Sequence, residues 1–312
     1  MAQLYGAIEI GLIFAIMALG VYITFRILNF PDLTVDGSFT SGGAVAAVMI
    51  VSGVSPLLST FSALIVGFIF GCFTGIIHTK GKINGLLAGI LAMIALYSIN
   101  LRIMGRPNVA LISEETLKQQ VKGFFSDYLP FLARFDLIIA MALVVLLIKL
   151  ALDWFLKTEI GMAIRATGDN QRMIRSYTVN TDISIILGVG LSNGLVALSG
   201  ALFAQYQGNA NATMGVGMII IGLASVIIGE AIFGTKTLRR VTMAVAGGSI
   251  IYYFAVSLAL RLGLNASDLR LITAIIVIFA LVAPQIMKAL HEKRKRAIRQ
   301  QQADQVREEI KS

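Results

Sequence analysis

Long apolar runs alternate with short polar stretches along the whole chain. The runs lie near 5–25, 39–53, 57–77, 84–101, 136–156, 182–205, 215–233, 241–260 and 270–287. Most approach the roughly 20 residues a helix needs to cross the hydrocarbon core, so the pattern predicts an all-α membrane protein, a polytopic helical bundle of about eight or nine transmembrane helices.

The pattern is broken in one place. Between the first two runs stands Asn29-Phe30-Pro31-Asp32-Leu33-Thr34-Val35-Asp36-Gly37-Ser38, where Pro31 bars a continuous helix, and the following run, 39–53, is too short to span comfortably. A broken or re-entrant helix near 29–38 satisfies both facts. Irregular backbone at membrane depth is tolerated only where protein or a water-filled cavity surrounds it, which makes this segment a candidate for lining a solute pathway.

Asp32 and Asp36 sharpen the question, because an aspartate at the bilayer centre costs about 2.5 to 3.5 kcal/mol. Two readings stand side by side. In one, the segment is a cytoplasmic turn where Asp32 or Ser38 caps a helix N-terminus. In the other, it lines the translocation cavity.

Small residues at helical spacing, Gly67, Gly71 and Gly75, then Gly81, Gly85 and Gly89, then Gly190 and Gly194, predict close helix packing. Polar residues inside apolar runs (Asn84, Tyr97, Ser98, Asn100, Ser192, Asn193, Ser199, Gln205 and Glu230) are expected to make interhelical hydrogen bonds. Glu230 precedes the basic stretch Lys236 to Arg240 and is expected to pair with one of its cations near the inner interface.

Composition agrees with the pattern: 57% of the 312 residues are hydrophobic and only 14% charged, against roughly 25% charged in a soluble domain. The first run, Gly6 to Phe25, has neither a basic region before it nor a small-residue cleavage pattern after it, and reads as a retained helix rather than a signal peptide. The net charge of +9 is a matter of topology rather than of nucleic-acid binding. Lys288, Lys293, Arg294, Lys295, Arg296 and Arg299 follow the last run and are expected in the cytoplasm, facing anionic lipid. Counting back puts 236–240, 157–181 and 78–84 inside, and 207–214, 51–56 and 102–136 outside. Within that long outer stretch, Glu114 to Phe125 is expected to form a short surface helix.

Candidate chemistry is sparse. Cys72 is the single cysteine, so no disulfide or metal framework is available. His78 and His291 flank helix ends, and no Gly-rich loop ends in Gly-Lys-Ser or Gly-Lys-Thr, so this chain cannot hydrolyse ATP alone. A membrane-embedded enzyme would need paired catalytic groups at facing depth, which the sequence lacks. The inside loop Thr158 to Tyr177 is different in kind, being long and amphipathic. Gly168 can end one short helix, and Asp169 or Asn170 can start another whose Met173, Ile174 and Tyr177 form an apolar edge that needs a partner groove.

The run from Glu159 through Asn180, followed by Gly190-Leu191-Ser192-Asn193-Gly194-Leu195-Val196-Ala197-Leu198-Ser199-Gly200-Ala201-Leu202, resembles the ABC importer permeases of the branched-chain amino acid and ribose family. Asp32-Leu33-Thr34-Val35-Asp36-Gly37-Ser38 is similar to the Asp-Leu-Ser-Val-Gly-Ser segment of its sugar permeases, with Asp36 inserted before the glycine. The resemblance covers most of the chain and is nearest to the single-permease subgroup suspected of taking up tryptophan and other aromatic amino acids.

That resemblance implies a permease domain over 1–290 with a coupling loop at 157–181, and a basic cytoplasmic tail over 291–312. It implies a homodimer in the bacterial inner membrane, two cytoplasmic ATP-binding subunits holding the ATP and Mg, no cofactor on this chain, and an extracytoplasmic solute-binding protein. The solute would be an aromatic or branched-chain amino acid, with a nucleoside or sugar as the alternative. Gly161, Arg165, Gly168, Asp169, Asn170, Arg172, Met173 and Arg175 would couple to the ATPase; Asp32, Thr34, Asp36, Ser38 and Asn193 would lie near the path. The rival reading is a stand-alone ion-coupled secondary transporter using Asp32, Asp36 or Glu230, which would need an inverted repeat that the sequence does not display.

Overall fold

The computed structural model describes residues 2–128, 131, 135–176, 180–261 and the single positions 271, 274, 275, 278 and 282. The basic tail and Tyr177 lie outside the described residues, as does most of the run near 270–287.

Apolar length becomes helix as expected. Among the described residues, seven helices are long and apolar enough to cross a membrane. The first is α1 (Ala2–Tyr22), continued by a π-helical turn at Ile23–Ile27; the others are α2 (Thr34–Val51), α3 (Pro56–Thr79), α4 (Gly85–Met104), α6 (Asp136–Phe155), α8 (Thr181–Gln207) and α10 (Leu238–Arg261). The remaining helices are α5 (Leu117–Tyr128), α7 (Glu159–Ser176) and α9 (Met218–Phe233). At 16 residues α9 is about 24 Å long, short of the roughly 30 Å core. It begins three residues later than the apolar run at 215–233 suggests.

The 27-residue helix α8 is the central post, packed on α1, α2 and α3. Small residues let the backbones touch, as the glycine spacing predicts. A Cβ on Gly71 would lie 2.4 Å from the Val189 carbonyl, and one on Gly200 would lie 2.0 Å from that of Phe39. Hydrogen bonds staple the same contacts. Gln205 donates to Thr60 (2.7 Å), Ser192 to the Gly20 carbonyl (2.8 Å) and Ser199 to the Ile13 carbonyl (2.8 Å), while Ser41 of α2 donates to Asn100 of α4 (2.7 Å). Asn84 departs from the expected role, since it caps α4 by accepting from Leu86 N; Tyr97 and Ser98 face outward.

Two rims can be told apart. β1 (Asn108–Ala110) and β2 (Asn209–Asn211) form an antiparallel ladder that joins the loops after α4 and α8, so 102–136 and 207–214 share one rim, as the charge count requires. Helix α5 lies on this ladder rim, anchored by Leu117 N donating to Gln205 Oε1; it starts three residues after the expected Glu114. At the opposite rim, Lys80 and Arg175 both approach Asp182 at 3.7 Å, gathering the 78–84 and 157–181 loops beside α7.

The break between α1 and α2 is real, and it sits at 28–33. Helix α2 begins at Thr34, so Thr34, Asp36 and Ser38 stand on a helix rather than in a turn. The link is held by Asn29 in the left-handed region (φ 51) and by Phe30, which packs edge-on against His78 and against Gly85 of α4.

Candidate functional site

Pro31 prevents α1 from running on, and the chain re-enters the bundle at Asp32. Only 3% exposed, Asp32 accepts Thr34 N at 2.9 Å through Oδ1 and Asn193 Nδ2 at 2.7 Å through Oδ2. Asn193 lies twelve residues along α8, about 18 Å from that helix's start beside α7. Asp32 therefore satisfies the first N–H of α2 from a buried position inside the bundle. Ser38 caps nothing. Its Oγ, like Asn193 Oδ1, is buried with no hydrogen-bond partner among the described residues.

One turn further, Asp36 caps a second helix. Its Oδ2 accepts Gly217 N at 2.8 Å and its Oδ1 accepts Ile219 N at 2.9 Å, at the start of α9. Gly217 sits at φ 85, the left-handed conformation that lets the chain turn sharply into α9. Gly215 is pressed so closely on α2 that a Cβ there would lie 1.9 Å from the Asp36 carbonyl, and its N–H donates to Thr40 Oγ1 at 3.0 Å. The two aspartates, one turn apart, each meet the positive end of a helix inside the bundle, and the N–H groups with the helix dipoles offset the cost of burying a carboxylate. Thr34 adds a hydroxyl contact to Thr74 of α3 at 2.9 Å.

Below this centre lies α7. Its helix breaks at Asn170 (φ −151, ψ 87), whose side chain accepts Met173 N at 3.1 Å and so starts the second short piece, at one of the two positions the sequence offers. Gly168 departs from its expected role. It remains helical rather than ending the first piece, and a Cβ on it would lie 1.8 Å from the Ile27 carbonyl. Gly161 makes a similar approach to the end of α6, 2.1 Å from the Phe155 carbonyl.

Arg165 and Asp169 line an open cavity of about 800 Å³ together with Tyr22, Arg26, Asn29 and Lys236. Arg172 and Met173 are exposed, whereas Arg175 turns back, donating from Nε to Thr181 Oγ1 at 3.0 Å and approaching Asp182. Glu230 pairs with Arg26 of the π-helical turn rather than with a cation of 236–240.

One constellation went unnoticed in the sequence. Lys149 and Asp153, one turn apart on α6, form a buried ion pair at 2.7 Å, and Thr242 of α10 donates to Asp153 Oδ1 at 2.7 Å. Opposite charges four residues apart inside an apolar run are the signal that could have found them.

The family model described as branched-chain amino acid transport system / permease component matches residues 5–282. A tyrosine transport system permease protein of Clostridioides difficile (strain R20291) is 45% identical over 268 residues, 86% of each chain. The ribose import permease protein of Escherichia coli (strain K12) is 25% identical over 272 residues, 86% of this chain and 81% of that one. A probable branched-chain amino acid transport permease protein of Methanocaldococcus jannaschii is 27% identical over 254 residues, 80% and 78% of the two chains. No solved structure matches. With a family match over nearly its whole length on a multi-helix membrane bundle, the chain belongs to the branched-chain amino acid transport system permease family and is a permease component of a binding-protein-dependent transport system.

Proposed function

We propose that this chain forms the translocation path of a bacterial inner-membrane ABC importer for an aromatic amino acid, tyrosine foremost. Two copies would enclose the path and receive solute from an extracytoplasmic binding protein. Two cytoplasmic ATP-binding subunits, carrying the ATP and Mg, would drive them from the α7 rim. The solute class is supported by the relative at 45% identity that is named for tyrosine.

The observation that carries the coupling is a continuous line of close contacts. Gly168 of α7 abuts the Ile27 carbonyl at the end of the π-helical turn, the 28–33 link follows, Asp32 caps α2, and Asp36 on α2 holds the start of α9. A push on α7 by an ATPase has a rigid route to the starts of α2 and α9. Arg172 and Met173 are the outward contacts, Gly161 and Gly168 the fulcrum, and Asn170 the joint between the two pieces. Arg165 and Asp169 line the open cavity beside the first helix, and Arg175 holds α7 to the start of α8. Asp32, Thr34, Asp36, Ser38 and Asn193 form the buried polar centre that responds.

The test is uptake in proteoliposomes with the cognate ATPase and binding protein, offering tyrosine, tryptophan, leucine and ribose. ATP-dependent uptake of tyrosine, abolished by Arg172→Glu in a protein that still folds, is the expected result. Uptake driven by an ion gradient without any ATPase would overturn the reading in favour of a secondary transporter.

A further inference from the structure

A groove of about 460 Å³ runs between α6 and α10, away from the aspartate centre and from α7. Its walls are apolar, with Val145 and Leu146 from α6 and Met243 and Gly247 from α10, and one end holds two cations, Lys149 and Arg240. The lips face outward: Leu146 is 44% exposed and Met243 59%. Among the described residues nothing covers these lips, and an apolar groove on a membrane-spanning bundle suits an acyl chain.

Charge and length together identify the lipid class. Arg240 donates through Nε to the Phe233 carbonyl at 2.7 Å, which fixes its guanidinium at the groove's end, and it enters no ion pair among the described residues. Lys149 is neutralised by Asp153, so Arg240 brings the uncompensated charge. From Arg240 to Ile250, at the far end, α10 rises about 15 Å, half of the roughly 30 Å hydrocarbon core. The groove is one leaflet deep, cationic where that leaflet's headgroups lie and apolar below.

We propose that this groove binds an anionic phospholipid of the leaflet at the α7 rim, with the phosphate on Arg240 beside Lys149 and one acyl chain laid between α6 and α10. A basic pocket between transmembrane helices suits an anionic headgroup, and the matched apolar length distinguishes it from a site for a free phosphate.

The experiment is competitive retention of phosphatidylglycerol against phosphatidylcholine by the solubilised protein, read by native mass spectrometry of the lipid adducts. The expected result is about a fivefold preference for phosphatidylglycerol, the worth of one basic residue near the surface. Arg240→Gln should bring the preference to unity and Arg240→Lys should keep it. Arg239→Gln, outside the groove, should leave it unchanged. Gly247→Leu, which fills the groove and spares both cations, should abolish it. The proposal is overturned if the unaltered protein shows no preference, if Arg239→Gln and Arg240→Gln reduce it equally, or if Gly247→Leu retains it.

Discussion

The Ile27 carbonyl occupies the space a side chain on Gly168 would need, 1.8 Å from the position of its Cβ. Backbone touches backbone there, so α7 and the end of the first transmembrane segment must move together. Gly168→Ala is expected to separate them. Binding-protein-stimulated ATP hydrolysis should persist while tyrosine uptake falls at least about tenfold, since small misplacements far from a working site cost up to about a hundredfold. Parallel loss of both activities would indicate general damage instead.

Asp36 should matter through the N–H groups it receives. Asp36→Ala leaves Gly217 N–H and Ile219 N–H without their acceptors and is expected to cost about 2 to 3 kcal/mol; Asp36→Asn keeps one acceptor, turns an amide donor toward the other N–H and loses the charge, at an intermediate cost of about 1 to 2 kcal/mol. Unfolding of the detergent-solubilised protein measures the order, and equal effects would refute the capping role.

The Asp32–Asn193 contact lends itself to a double-mutant cycle. Asp32→Ala and Asn193→Ala should couple by about 0.6 to 1.7 kcal/mol, the range found for interhelical hydrogen bonds in membranes. Additive effects would mean that the 2.7 Å contact contributes nothing to stability.

Lys149 and Asp153 are expected to be tolerated only as a pair. Lys149→Met leaves a buried carboxylate uncompensated and should destabilise by about 3 to 5 kcal/mol, whereas adding Asp153→Leu should restore much of that loss. Thermal unfolding of the single and double variants decides it; a double variant no better than the single would refute the pairing.

Much of the architecture was legible because apolar length and spacing are local properties. The run at 57–77 is α3, and the break at 28–33 contains Pro31. The site was legible only in part. Asp32 and Asp36 stood out, yet their partners lie 161, 181 and 183 residues away, and no local rule names Asn193, Gly217 or Ile219. Proximity in sequence misled at Glu230, whose cation is Arg26, 204 residues distant, rather than the neighbouring 236–240 stretch. Gly168 looked like a helix terminator because glycine commonly is one; its use here, a close tertiary approach, leaves the same single-letter trace. The Lys149–Asp153 pair was within reach, since its i,i+4 spacing is written in the chain.

The ladder between Asn108–Ala110 and Asn209–Asn211 has a mechanical corollary. It clamps the far ends of α4 and α8 to one another, while at the opposite rim the corresponding ties are ion pairs with half-exposed side chains. A bundle gripped at one end behaves as a set of cantilevers: a given change in helix angle displaces the free ends in proportion to their distance from the grip. Over the 27 residues of α8, about 40 Å, a tilt of a few degrees becomes a travel of about 3 Å at the α7 end and almost none at the ladder.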